Sequence, residues 1–120
     1  MRTRAEYNFA LDWAQRCFGW EHVGNRKERA LRLVEEAIEL CQAVDVDADK
    51  VQEVVKSVYS RPHGDPVQEM GGVLLTAYVM SLSVLRWDPD EIFLRELMRV
   101  LSKPAAEFKA RNDEKISLPA

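Results

Sequence analysis

Between Met70 and Leu85 the chain carries no charged residue, and the run MGGVLLTAYVMSLSVL is apolar almost all round. A helix apolar on every side is a buried helix. The run has 16 residues, short of the roughly 20 needed to cross a bilayer, and it includes Gly71-Gly72, Thr76, Ser81 and Ser83. It therefore predicts an interior helix of a water-soluble protein. Glu69 stands at its head. At 3.6 residues per turn, Gly72, Thr76 and Ser83 fall on the side of Glu69, and the other sides are hydrophobic apart from Ser81. The result is one narrow polar stripe with a carboxylate at its start. A buried carboxylate requires a cation, a hydrogen-bond network or a proton.

At 120 residues the chain predicts a single domain spanning 1–120. A core of this size gains from self-association. The net charge of −3 is spread over interspersed residues of both signs, which argues against direct DNA binding or a membrane-surface role. Cys17 and Cys41 form no CxxC pair and have no metal-ligand neighbour at close spacing. They read as two buried free thiols in a reducing compartment. The N-terminal stretch MRTRAEYNFALDWAQ carries charges throughout and lacks the apolar core of a signal peptide. Together these features predict a cytoplasmic protein.

Helical periodicity dominates, and no alternating strand pattern is apparent. The first predicted helix covers Thr3–Phe18, with Phe9, Trp13 and Cys17 on one face beside Ala10 and Ala14. Gly19 ends it, and Gly24-Asn25 marks a turn. The second covers Arg26–Val44 and the third Asp49–Ser60, with Val51, Val54, Val55 and Val58 inward. In RPHGDP, Asp65 fits an N-cap, Pro66 the first helical position and Gln68 the reciprocal place of a capping box. The apolar helix accordingly runs from Pro66 to about Arg86. Asp88-Pro89 repeats the signature, Pro104 interrupts the helix that follows, and a last helix covers Ala105–Lys115. Residues 117–120 read as a frayed tail.

Glu35, Glu36 and Glu39 share the polar side of the second helix, with Glu36 beside Leu40 and Leu33 at the apolar border. Taken alone, EExxE also fits a solvated face with surface ion pairs such as Arg32–Glu36. Glu69, likewise, fits a first-turn position favoured by the helix dipole. Together they suggest a shared divalent metal. Mg²⁺ takes hard oxygen ligands, commonly a few carboxylates plus substrate phosphates. Glu36 and Glu39 project from adjacent sites on one helix, and Glu69 would close the cage from an antiparallel neighbour. Lys103, Lys109, Arg111 and Lys115 gather late in the chain, where they fit either phosphate contacts or a solvated tail of mixed charge. Trp13, Phe9, Tyr7 and Phe18 fit either core or a base-stacking wall. His63 stands in the RPHGDP loop, and the serines have no His/Asp partners at suggestive positions.

The segments ERALRLVEEAIELCQA and YSRPHGDPVQEMGGVLLTA resemble the MazG-like all-α nucleoside triphosphate pyrophosphohydrolases, and most closely small single-domain members of bacteria and phages. The likeness extends over about Glu6–Val84 and more loosely beyond. It implies an all-α, four- to five-helix bundle that forms a homodimer or homotetramer. It also implies Mg²⁺-dependent hydrolysis, with Mn²⁺ as a substitute, of a (deoxy)nucleoside triphosphate to the monophosphate and pyrophosphate. The family motif is EExxE on one helix and ExxD on another. By position it falls on Glu35, Glu36 and Glu39, then on Glu69, with Glu36, Glu39 and Glu69 as metal ligands. Gly72 stands where the family has its aspartate.

That resemblance gives Glu35 or Glu39 the role of base toward the attacking water, and Lys103, Lys109, Arg111 and Lys115 the role of holding phosphates. Trp13 would bind the base. The rival expectation is a helical nucleotide-binding or interaction protein that lost turnover together with the aspartate.

Overall fold

The computed structural model describes residues 4–116, which form seven α-helices and no strand. They are α1 (Ala5–Phe18), α2 (Trp20–Val23), α3 (Arg26–Ala43), α4 (Ala48–Tyr59), α5 (Pro66–Ser83), α6 (Pro89–Leu101) and α7 (Ala105–Ile116). The predicted helices are all present, with shifts of a few residues at their ends. Thr3, where the first was expected to begin, and the expected tail at 117–120 lie outside the described residues.

Local chemistry explains most of the boundaries. Asn25, Asp47, Asp65 and Asp88 each cap a helix by accepting a backbone N–H in its first turn, and Pro66 and Pro89 open theirs. Gly19 takes a φ of +79° between α1 and α2, a conformation that suits a residue without Cβ. The apolar helix stops at Ser83 rather than near Arg86. Arg86 adopts a φ of +57°, which a right-handed helix cannot contain. The break at Pro104 separates α6 from α7 as expected.

The core is small and is built from both ends of the chain. Cys17, Leu97, Val100 and Phe108 are buried, with Ala10, Trp13, Phe18, Phe93 and Ala105 packed around them. Three helical stripes meet here: Ala10–Trp13–Cys17 of α1, Phe93–Leu97–Val100 of α6, and Ala105–Phe108–Asn112 of α7. Trp13 presents edge-to-face contacts to Phe18 and Phe108, at centroid distances of 5.7 and 5.1 Å, an arrangement favoured by the ring quadrupoles. Phe9, expected on this face, is exposed. Cys17 is 2 % exposed, and its burial raises the thiol pKa. Cys41 is free but only half-buried, not fully buried as expected.

The expected burial of the apolar helix is the largest correction. No residue of α3, α4 or α5 is buried. On α5, Leu75, Val79 and Leu82 are 65, 54 and 59 % exposed. Val54, Val55 and Val58, expected to face inward, are exposed as well. The physical reason is that α5 packs mainly on α6, and α4 on α3, with no further layer over them among the described residues. The described residues are all-helical, seven helices with no strand. No helix among them is long and apolar enough to cross a membrane.

Candidate functional site

One cavity of about 650 Å³ opens between α1, α3, α6 and α7, within the range of small-molecule sites. Its walls combine two chemistries. Trp13, Phe18, Phe93 and Phe108 give it aromatic surface, while Glu35, Glu36, Glu39 and Glu96 bring carboxylates, interleaved with Arg29, Arg32, Arg99, Arg111 and Lys115.

The carboxylates hold one another in unequal states. Glu36 stands with its proton held above the usual carboxylate range, because of partial desolvation and then the charges of Glu39, Glu96 and Glu35. Glu35 moves the other way. The hydrogen bond from Lys115 is the main cause, against a smaller opposing effect of burial, and the charges of Lys115 and Arg32 add to it. Arg32 Nη1 lies 2.9 Å from Glu35 Oε2, and Lys115 Nζ donates to Oε1 from the far end of the chain. Two acids of one helix thus differ in character, one paired with cations and one crowded by anions.

The aromatic side of the wall contains donors without acceptors. Trp13 Nε1, Arg29 Nε and Arg29 Nη2 are shielded from solvent and have no hydrogen-bond partner among the described residues. Unsatisfied buried donors carry a desolvation cost. The Arg29 guanidinium lies over the Phe18 ring at 5.2 Å. Asn112, 6 % exposed, lines the same cavity.

The sequence-predicted residues divide accordingly. Trp13, Glu35, Glu36, Glu39, Arg111 and Lys115 come together at this cavity. Lys103 and Lys109 stand outside it, and Lys109 pairs with Asp113 at 3.0 Å. Arg111 also pairs with Glu107, 2.8 Å away. Tyr7 belongs to a separate shallow depression and packs against Phe93 at 6.0 Å. Glu69 is not among the lining residues. It folds back onto its own loop, its carboxylate occupying the space that a side chain at Gly64 would need. Among the described residues no three His, Cys, Asp or Glu side chains form a group that could hold a metal ion.

Glu96 and Asn112 escaped the sequence reading. Glu96 lies next to Arg99 along α6 and forms an ordinary i,i+3 ion pair with it, so nothing local distinguishes it. Its closeness to Glu36 arises only from the tertiary packing. Asn112 sits in a stretch of mixed charge and is separated from Ala105 and Phe108 by helical spacing, the one signal that pointed inward.

The donor set fits a divalent cation in kind, since every acid is a hard oxygen ligand and their crowding is what a cation relieves. Within one chain it is not gathered into a cage. No protein-family model, curated protein or solved structure matches the chain.

Proposed function

We propose that the protein is a Mg²⁺-dependent nucleoside triphosphate pyrophosphohydrolase that releases pyrophosphate from a (deoxy)nucleoside triphosphate. The observation that carries the reading is the cavity of about 650 Å³ in which Trp13, Phe18 and Phe108 meet Glu35, Glu36 and Glu39. A base with its sugar suits the Trp13–Phe18–Phe108 surface, and a triphosphate requires cations at the acids. The resemblance of EExxE and the Glu69 segment to the MazG-like family supports the same conclusion.

In this reading Glu36, Glu39 and Glu69 hold the metal, which when bound neutralises phosphate charge and polarises the scissile anhydride. Glu35 or Glu39 accepts a proton from the attacking water. Lys115 and Arg111 approach phosphate oxygens once they leave Glu35 and Glu107. The unpartnered N–H groups of Trp13 and Arg29 gain acceptors from an oxygen-bearing ligand after a small side-chain rotation. The half-buried and buried free thiols suit a reducing compartment.

Incubating the purified protein with each dNTP and Mg²⁺ or Mn²⁺, and measuring pyrophosphate, tests the proposal. Metal-dependent release is expected. Tight nucleotide binding without release would favour the rival reading, a nucleotide-binding protein that lost turnover with the aspartate.

Gly72 supplies an independent check. Nothing lies within 4 Å of where its Cβ would stand, so Gly72→Asp is tolerated in the single chain. It adds a carboxylate on the Glu69 side of α5, and apparent Mg²⁺ affinity is expected to rise at least a few-fold in calorimetric titration. A variant that melts lower and binds Mg²⁺ no better would place position 72 away from the metal.

A further inference from the structure

Arg29 is set apart from the other cations of the cavity. Arg32 and Lys115 are both paired with Glu35, Arg99 with Glu96 and Arg111 with Glu107. The Arg29 guanidinium lies instead over the Phe18 ring, and its Nε and Nη2 have no partner among the described residues. These two atoms form one edge of the guanidinium, with their N–H bonds parallel. Arginine uses such an edge for bidentate contacts. Two donors that point the same way call for two neighbouring acceptors.

A second, independent group faces the same need. Asn112 lines the cavity and is 6 % exposed, and no described residue forms a hydrogen bond with its side-chain amide. A buried amide without a partner carries a cost that a bound ligand relieves. Trp13 Nε1 adds a further unpartnered donor. The cavity also has a direction along α3. Arg29 stands seven residues before Glu36, about 10 Å at 1.5 Å per residue. Its end is aromatic, with Phe18 beneath it and Trp13 5.7 Å from Phe18. The Glu36 end is acidic. A nucleotide laid along α3 with its phosphates at the acids puts its base at Arg29.

We infer that Arg29 selects the base, and that the base is guanine. Guanine O6 and N7 are neighbouring acceptors, the pair that an arginine edge matches. Adenine sets an amino donor beside its N7, which opposes the edge, and thymine offers a lone carbonyl oxygen on that side. Guanine also carries N–H donors, which Arg29 and Trp13 cannot accept. The Asn112 amide oxygen supplies that acceptor. The Arg29 edge is shielded from solvent, and a small rotation of this long side chain turns it to the cavity that it lines.

The inference rests on the nucleotide reading above and deepens it. Calorimetric titration with dGMP, dAMP, dCMP and dTMP in Mg²⁺ tests it, since monophosphates have no anhydride to cleave. Wild type is expected to bind dGMP at least about tenfold more tightly than the other three. 7-Deaza-dGMP, with C–H in place of N7, is expected to lose most of that advantage, a comparison that requires no variant. Arg29→Lys keeps the charge but not the bidentate edge, and is expected to bind all four monophosphates within about threefold of one another. Equal binding of the four by wild type, or none, would overturn the inference. So would full affinity for 7-deaza-dGMP, or a preference for dCMP, which would put the edge on the cytosine O2–N3 pair. Inorganic phosphate binding as tightly as dGMP would make Arg29 an oxyanion site and overturn it as well. Pyrophosphate release from the triphosphates is scored separately. Guanine preference without release keeps this inference and removes the hydrolase, whereas equal release from all four dNTPs without preference in binding keeps the hydrolase and removes guanine selection.

Discussion

Glu36→Gln is expected to lower nucleoside triphosphate turnover by at least about tenfold, roughly 1.4 kcal/mol in the barrier, while the protein stays folded. The side chain keeps its size and its hydrogen-bonding reach, so packing is preserved and only the charge is lost. Without divalent cations the variant should melt at a higher temperature than wild type near neutral pH. The reason lies in the crowding of Glu36 by Glu39, Glu96 and Glu35 together with its partial desolvation, which hold its pKa above the usual value. A carboxyl whose pKa is raised on folding favours the native state below its unfolded pKa. That contribution is lost as pH rises through the folded pKa. Glutamine does not ionise, so the advantage of the variant should shrink on acidification. Adding Mg²⁺ should reverse the order, because wild type alone gains the ligand's stabilisation. Wild-type rates at saturating substrate and limiting Mg²⁺ would remove Glu36 from the site. Melting curves at two pH values, with and without Mg²⁺, check the electrostatic half of the claim.

Leu75→Asp is expected to weaken self-association by at least about a hundredfold, or roughly 2.7 kcal/mol. Leu75 is 65 % exposed in the single chain, and a polar substitution at an ordinary surface site changes stability by only about 0.5 kcal/mol in either direction. A large effect can therefore come only from a surface that is covered in the assembled protein, where an unpaired carboxylate is costly. Leu11→Asp on α1 serves as a control, since Leu11 is also exposed but lies off the α3–α4–α5 face. Sedimentation over a dilution series should separate the two. Equal association constants for Leu75→Asp and wild type would contradict the covering of α5.

The sequence was a good guide wherever a single local interaction decides the outcome. Asp65-Pro66 and Asp88-Pro89 announced two helix starts, and Pro104 announced a break, because capping and the missing N–H act within a few residues. The four-residue α2 between Gly19 and Gly24 was not legible, as one helical turn shows no period. The apolar character of α5 was read correctly and its burial was not. Hydrophobic periodicity reports that a surface needs a partner but does not say which chain provides it. The candidate site divided on the same principle. Glu35, Glu36 and Glu39 share a helix, so their grouping was visible from spacing. Glu96 reaches them only through the packing of α6, and Glu69 belongs to a helix that does not touch the cavity. Lys115, predicted to hold phosphate, is found bonded to Glu35, a pairing across most of the chain that no local pattern encodes.

The core formed by α1, α6 and α7 has a consequence for the order of events during synthesis. Trp13 meets Phe108, so α1, although it also touches α2 and α6, lacks its most extensive partner until α7 has been made. Contacts this distant along the chain are slow to form, and domains emerge from the ribosome N-terminal end first. For most of translation the nascent chain therefore presents α3, α4 and α5 with their apolar stripes bare and no finished core behind them. Two such chains on neighbouring ribosomes can meet through these helices before either has closed its own ends. Under the self-association that Leu75→Asp tests, assembly and folding would become one process, with the bare helices of one nascent chain open to those of another.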